Sequence, residues 1–211
     1  LCMPAAASGF TGKLIAITFD DGPGAYTAQL LDELAARDVK ATFFVSGYRA
    51  ANYPETLKRM VSEGHQLASH TQNHENLNTL SSSKIASQIS QPQELITAAG
   101  GDNPAYIRPP YGNAGSYDGA IILVHDIYQT SVNGALAAID KLLEQGYEFV
   151  TVRDLLLRRG VTPEAGVMYY DAKNTGVNLD IDEAGSGYYD ESQIESHWAY
   201  DALTFCLDHG F

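Results

Sequence analysis

Short apolar runs alternate with helix-length amphipathic segments over the first 160 residues, and this alternation constrains the fold more than any other feature. Leu14–Thr18 reads as a strand, and Tyr26–Arg37 as a helix with Leu30, Leu31 and Leu34 on one face. Ala41–Val45 is aromatic and β-branched, which suits a strand. Pro54–Glu63 has proline in its first turn and Gly64 at its end, the pattern of a bounded helix. Gln66–Ser69 reads as a strand, and Ser83–Ala99 as a helix that Pro92 must kink or split. Ala105–Ile107 and Ala120–Val124 read as strands. Val132–Gln145 carries Leu136, Ile139, Leu142 and Leu143 at helical spacing and is closed by Gly146. Glu148–Thr151 and Arg153–Arg159 complete the series as strand and helix. Alternation of this kind predicts an α/β fold with a parallel sheet and outer helices, either open or closed into a barrel.

The polar residues fall in a pattern on that frame. Asp20 and Asp21 follow the first strand, His70 the third, Arg108 the fourth and His125 the fifth. In a parallel barrel these strand ends share one face, where active sites are built. One segment breaks the regularity. Only Arg108–Gly119 separates the fourth and fifth strands, and it contains two prolines and three glycines. Parallel neighbours need a crossover of about a dozen residues or more, usually helical. Either these two strands are not neighbours, or a strand–helix segment is lacking between them.

Two strings carry the chemistry: T-F-D-D-G-P at Thr18–Pro23 and H-T-Q-N-H at His70–His74. Adjacent carboxylates repel unless positive charge lies beside them. Two histidines four apart bring both rings to one side of a helix or tight turn. Asp21, His70 and His74 together supply the three protein ligands of an open metal site. Asp20 is then placed to take a proton from water beside the metal. Zinc suits these donors, and cobalt or nickel would fit them as well. Arg108, opening R-P-P-Y-G, would hold Asp20 ionised and oriented, and the Tyr111 backbone N–H could face a developing oxyanion. His125, ending I-I-L-V-H, is either a buried structural histidine or a general acid. Its neighbour Asp126 points the other way on a strand. His65 reads as structural.

These strings resemble, in order, motifs of the polysaccharide deacetylases of carbohydrate esterase family 4, the NodB homology domain. T-F-D-D-G-P is similar to the first motif, H-T-Q-N-H to the second, R-P-P-Y to the third and L-V-H at Leu123–His125 to the fifth. The resemblance covers about residues 13–160. It implies a distorted (β/α) TIM-like barrel and metal-dependent removal of acetyl groups from N-acetylated sugars. It implies Asp20 as base, Asp21, His70 and His74 as metal ligands, Tyr111 at the oxyanion hole, Arg108 steadying the base and His125 as acid. It also implies Leu123 lining the pocket for the acetyl methyl. The family's fourth motif, a D-x-x-D-W-like string between the third and fifth, is absent, at the place where the chain is too short for a crossover.

Composition bounds the rest. The net charge is −13, with ten acidic residues and one basic residue after Gly160 against 16 and 12 before it. Such an acidic stretch repels phosphate and argues against nucleic acid as a partner. No stretch is long and apolar enough to span a membrane. Cys2 and Cys206 form no framework. Residues 1–12 form an N-terminal stub, either the end of a secretory signal with its small-residue cleavage site or an unstructured terminus. Residues 13–160 form the deacetylase domain, and 161–187 a Gly- and Asp-rich linker. Residues 188–211, with S-H-W-A-Y-D-A-L, resemble the first helix of an S-layer homology repeat, which implies attachment to a bacterial cell-wall polymer. The expected function is deacetylation of peptidoglycan N-acetylglucosamine or a chitin-like glycan by an extracellular or wall-associated bacterial protein. The alternatives are a catalytically impaired glycan-binding protein of the same fold and an O-acetyl esterase of the acetylxylan type.

Overall fold

The computed structural model describes residues 12–102, 106–108, 110 and 121–163. The N-terminal stub, Tyr111, both cysteines and the acidic C-terminal segment lie outside the described residues. The described chain runs β1 (Lys13–Asp20), α1 (Thr27–Ala36), β2 (Thr42–Val45), α2 (Gly47–Ala50), α3 (Pro54–Ser62), β3 (Gln66–Ser69), a 3-10 turn at Leu77–Thr79, α4 (Ser82–Ala98), β4 (Ile121–His125), α5 (Gln129–Glu144), β5 (Tyr147–Phe149) and α6 (Val152–Arg158). Among the described residues the alternation expected from the sequence is present, with α2 and the 3-10 turn added, except at Ala105–Ile107, where Ile107 forms a single bridge and Ala105 lies outside the described residues. Pro92 does not split α4, which is one helix through that residue. Its missing N–H costs one hydrogen bond, and its buried ring lies beside Gly47, the first residue of α2.

All strand pairs are parallel, in the order β3-β2-β1-β4, with β5 pairing the start of β1. Ile107 extends the sheet past β3 through a parallel bridge to Ser69. Among the described residues Ile107 and β4 lie at opposite edges of the sheet, with β3, β2 and β1 between them, and do not pair. The sheet curls nevertheless, because the Arg108 side chain at one edge reaches Thr18 and Asp20 on β1. The arrangement is a barrel-like sheet that is not closed among the described residues.

The two-residue period of β1 sorts its side chains. Ile15, Ile17 and Phe19 face the helices and join Phe43, Val45, Leu67 and Val124 in a core with Leu30, Leu34, Leu57 and Ile139. Leu14 and Ala16 face the concave side and pack with Ile121, Val152, Leu155 and Leu156. Helix α6 therefore plugs the end of the sheet at which β1 begins. Its first N–H groups, which have no acceptor within the helix, are satisfied by the strands below: Val152 donates to Thr42 Oγ1 at 2.9 Å and Arg153 to Gln66 Oε1 at 3.1 Å. Further along the same concave face, β1 turns polar at Thr18 and Asp20. One end of the sheet is sealed, and the functional residues gather at the other.

Candidate active site

Asp20 on β1 is the register partner of His125 on β4, and Thr18 of Leu123. The four side chains therefore share one face of the sheet, as the sequence positions require. Asp20 is buried, with 2% of its surface exposed. Arg108 Nη1 donates to Asp20 Oδ1 at 2.5 Å and to Thr18 Oγ1 at 2.8 Å. Thr18 in turn donates to the Ile122 carbonyl at 2.8 Å. The guanidinium lies over the Phe44 ring, 4.0 Å from its centroid. These contacts fix the arginine in place, and it fixes one oxygen of Asp20. Burial pushes the Asp20 carboxyl up to about 6, with Arg108 and His125 pulling in the opposite direction.

Asp21 leaves the strand in the left-handed region, at φ 71°. Thr71 and His74, in the turn after β3, share that conformation at φ 70° and 55°. Each such non-glycine residue costs about 1–2 kcal/mol, and strain of this kind clusters where function needs a fixed geometry. The H-T-Q-N-H turn is braced from several sides. Gly47 and Tyr48 donate to the carbonyls of Thr71 and Gln72 at 3.0 and 2.9 Å. His74 N–H donates to Thr71 Oγ1 at 3.1 Å, and Asn73 N–H to Gln88 Oε1 of α4 at 2.8 Å.

The three expected ligands come together. Asp21 Oδ1 lies 3.5 Å from Nε2 of His70 and 3.5 Å from Nε2 of His74. One donor atom from each of the three falls within 4.8 Å of the others. Two donors each about 2.1 Å from a tetrahedral ion would stand about 3.4 Å apart, so the spacing fits zinc. Asp21 Oδ1 is also buried without a hydrogen-bond partner among the described residues, the situation a cation resolves. His70 Nδ1 lies 2.8 Å from the Arg108 carbonyl. That contact makes Nδ1 the protonated nitrogen and turns the Nε2 lone pair toward Asp21, the usual support for a metal-binding histidine. Burial pushes the His70 imidazole down to about 4, so the ring is neutral near pH 7 and its approach to Asp21 is that of a ligand set rather than an ion pair. The residues therefore fit a divalent metal.

His125 Nε2 lies 3.8 Å from Asp21 Oδ2, and its side chain is partly exposed. It is not a buried structural histidine. Asp126 does point the other way, and burial pushes its carboxyl up to about 7. His65 is structural as expected: its Nδ1 accepts the Ala41 N–H at 3.1 Å, and burial pushes it down to about 4. Tyr111 lies outside the described residues. Sequence reading missed Thr18, which links Arg108 to β4, and Gln88, which braces the histidine turn. Gln88 carried one signal, as a polar residue on the buried face of an amphipathic helix.

Fold and site together define a parallel α/β protein with two histidines and one aspartate, spaced to hold a divalent metal, at the carboxyl ends of its strands. The chain belongs to the polysaccharide deacetylase family, which matches it over residues 7–125. It is 38% identical over 180 residues to the peptidoglycan-N-acetylmuramic acid deacetylase PdaC of Bacillus subtilis, covering 68% of this chain and 38% of that protein. It is 34% identical over 206 residues to the peptidoglycan-N-acetylglucosamine deacetylase PgdA of Listeria monocytogenes, covering 80% of this chain and 44% of that protein. The chain thus spans about two fifths of the length of these relatives. Among solved structures, a family 4 acetyl xylan esterase from Clostridium thermocellum in complex with a cobalt ion superposes with a TM-score of 0.66 at 29% identity, covering 77% of this chain and 100% of that one. Among the described residues, no helix is long and apolar enough to cross a membrane.

Proposed function

We propose that the chain is a metal-dependent hydrolase that removes N-acetyl groups from a cell-wall polysaccharide, foremost peptidoglycan N-acetylglucosamine, or from a chitin-like glycan, releasing acetate. The observation that carries this reading is the Asp21 oxygen, without a hydrogen-bond partner among the described residues, at 3.5 Å from both histidine Nε2 atoms and beside a second carboxylate clamped by Arg108. The names of the bacterial relatives support the substrate class.

Asp21, His70 and His74 would hold a divalent ion, which would supply Lewis acidity toward water and the acetyl carbonyl. Zinc is favoured by the donors, and cobalt or nickel fit them too. Asp20 takes the proton of the water that adds to the acetamide carbon, using the oxygen that Arg108 leaves open. His125, on the same face of the sheet, gives a proton to the departing amine as the carbon–nitrogen bond breaks. Leu123, two residues before it on that face, lines the space for the acetyl methyl. The Tyr111 backbone N–H is the candidate oxyanion donor by family resemblance.

The test is acetate release from N-acetylglucosamine oligomers and from peptidoglycan, lost on chelation and restored by zinc. Metal binding without acetate release from any acetylated glycan would leave the glycan-binding alternative in its place. The likeness to an acetyl xylan esterase favours a second reading, O-deacetylation, which acetylated xylan in the same assay separates. The raised Asp20 carboxyl predicts the pH profile. A base must be ionised to act, so kcat/KM falls as pH drops through the Asp20 titration. A dication beside it favours the ionised form, which places the acid limb at or below about pH 6. An acid limb near pH 8 would assign the base elsewhere.

Residues 13–160 are the proposed catalytic domain, 161–187 a linker and 188–211 a wall-attachment segment. Peptidoglycan as substrate places the protein outside the membrane or in the wall. The support for the last segment is its S-H-W-A-Y-D-A-L sequence alone.

A further inference from the structure

The turn that presents Asp21 is held from behind by groups that the proposed chemistry does not use. Asp126 follows His125 and points to the opposite side of the strand, where it is completely buried. Its Oδ2 accepts a hydrogen bond from the Thr27 hydroxyl. The same Thr27 oxygen accepts the Gly24 N–H at 2.8 Å. The carboxylate lies directly against Gly22, where any Cβ would collide with both of its oxygens. From the other side, Ser46 N–H donates to the Gly22 carbonyl at 3.1 Å. The segment after Asp21 is therefore gripped between β4 and the end of β2.

A grip is needed there. Asp21 sits at φ 71°, a conformation that an unrestrained aspartate leaves readily. Asp126 Oδ1 has no hydrogen-bond partner among the described residues. A buried acid with an unpartnered oxygen is unfavourable for folding, so packing alone does not account for an aspartate at this position. We infer that Asp126 is a positioning residue: through the Thr27 hydroxyl and the Gly22 backbone it holds the turn that aims the Asp21 carboxylate at His70 and His74. The inference rests on the metal-site reading above and extends that site to a second layer on the far side of the sheet.

The experiment measures zinc affinity of the whole chain by competition with a chromophoric chelator, and the visible spectrum of the cobalt-loaded protein. Asp126→Ala and Thr27→Val each weaken zinc binding by about 10–100-fold, the usual effect of losing a group that orients a ligand. Each also shifts the cobalt absorption bands. Asp126→Asn keeps the acceptor oxygen and Thr27→Ser keeps the hydroxyl, so both restore affinity and spectrum. Thr27→Val conserves volume, and against Thr27→Ser it decides the matter if Asp126→Ala does not fold. Folded Thr27→Val protein with wild-type affinity and an unchanged spectrum would overturn the inference. Failure of the metal-site reading looks different: the wild-type chain itself would then bind no zinc.

Discussion

Asp20→Asn leaves zinc bound and reduces acetate release by about 10²–10⁴-fold, the span that a positioned general base contributes. The substitution is nearly isosteric. Its side-chain oxygen still accepts from Arg108, whose guanidinium stays fixed by Thr18 and the Phe44 ring. The loss therefore reports on the carboxylate and not on a collapsed site. Asp20 stands 3.8 Å from His70 Nε2 but outside the close trio formed by Asp21 with the two histidines, so zinc affinity changes little. Turnover and affinity are measured on the same protein. Substantial residual turnover in the variant removes Asp20 from the base role, and loss of zinc moves it into the ligand set.

The fold was legible in the sequence wherever local pattern and tertiary packing demand the same thing. The Leu30–Leu34 face of α1 and the aromatic run of β2 are fully determined by burial in one core. Strand order was not legible. The short segment after Arg108 did not say where its flanking elements lie in the sheet, and that required knowing that Ile107 pairs with Ser69 while Ile121 pairs with Ala16. Nothing in a strand's own residues names its neighbours. Pro92 did not split α4, because a helix that packs on a neighbour can retain a proline that propensity would expel. The site was legible to the extent that its residues are chemically unusual. Paired aspartates and histidines at fixed spacing stand out in any sequence, and the structure gathers them. Thr18, Gln88, Thr27 and Asp126 do not stand out, because a threonine or a glutamine acquires meaning only from the group it touches. The strain at Asp21, Thr71 and His74 was invisible for a related reason: all three are ordinary members of the motifs, and their φ values are imposed by the hydrogen bonds around them.

His70→Ala abolishes zinc binding and, with it, activity. His70 is the most deeply buried of the three proposed ligands and stands between the two carboxylates, 3.8 Å from Asp20 and 3.5 Å from Asp21. Its removal also strips the Arg108 carbonyl of the Nδ1 hydrogen bond, at a cost of about 1–3 kcal/mol for a buried acceptor left unpaired. Two effects must therefore be separated, loss of metal and loss of stability. His65→Ala provides the comparison, since His65 is also buried and its Nδ1 also serves the backbone, but it packs edge-on against Phe43 in the helix-side core. Thermal unfolding with and without zinc distinguishes them. At a zinc concentration about 100 times the Kd, binding stabilises a folded protein by about 2.7 kcal/mol. The wild-type chain and His65→Ala both show that increment, the latter from a lower starting Tm. His70→Ala starts low and gains nothing at the same concentration. A full zinc-dependent rise in the Tm of His70→Ala removes His70 from the ligand set, because a site that still binds at wild-type strength has not lost a ligand.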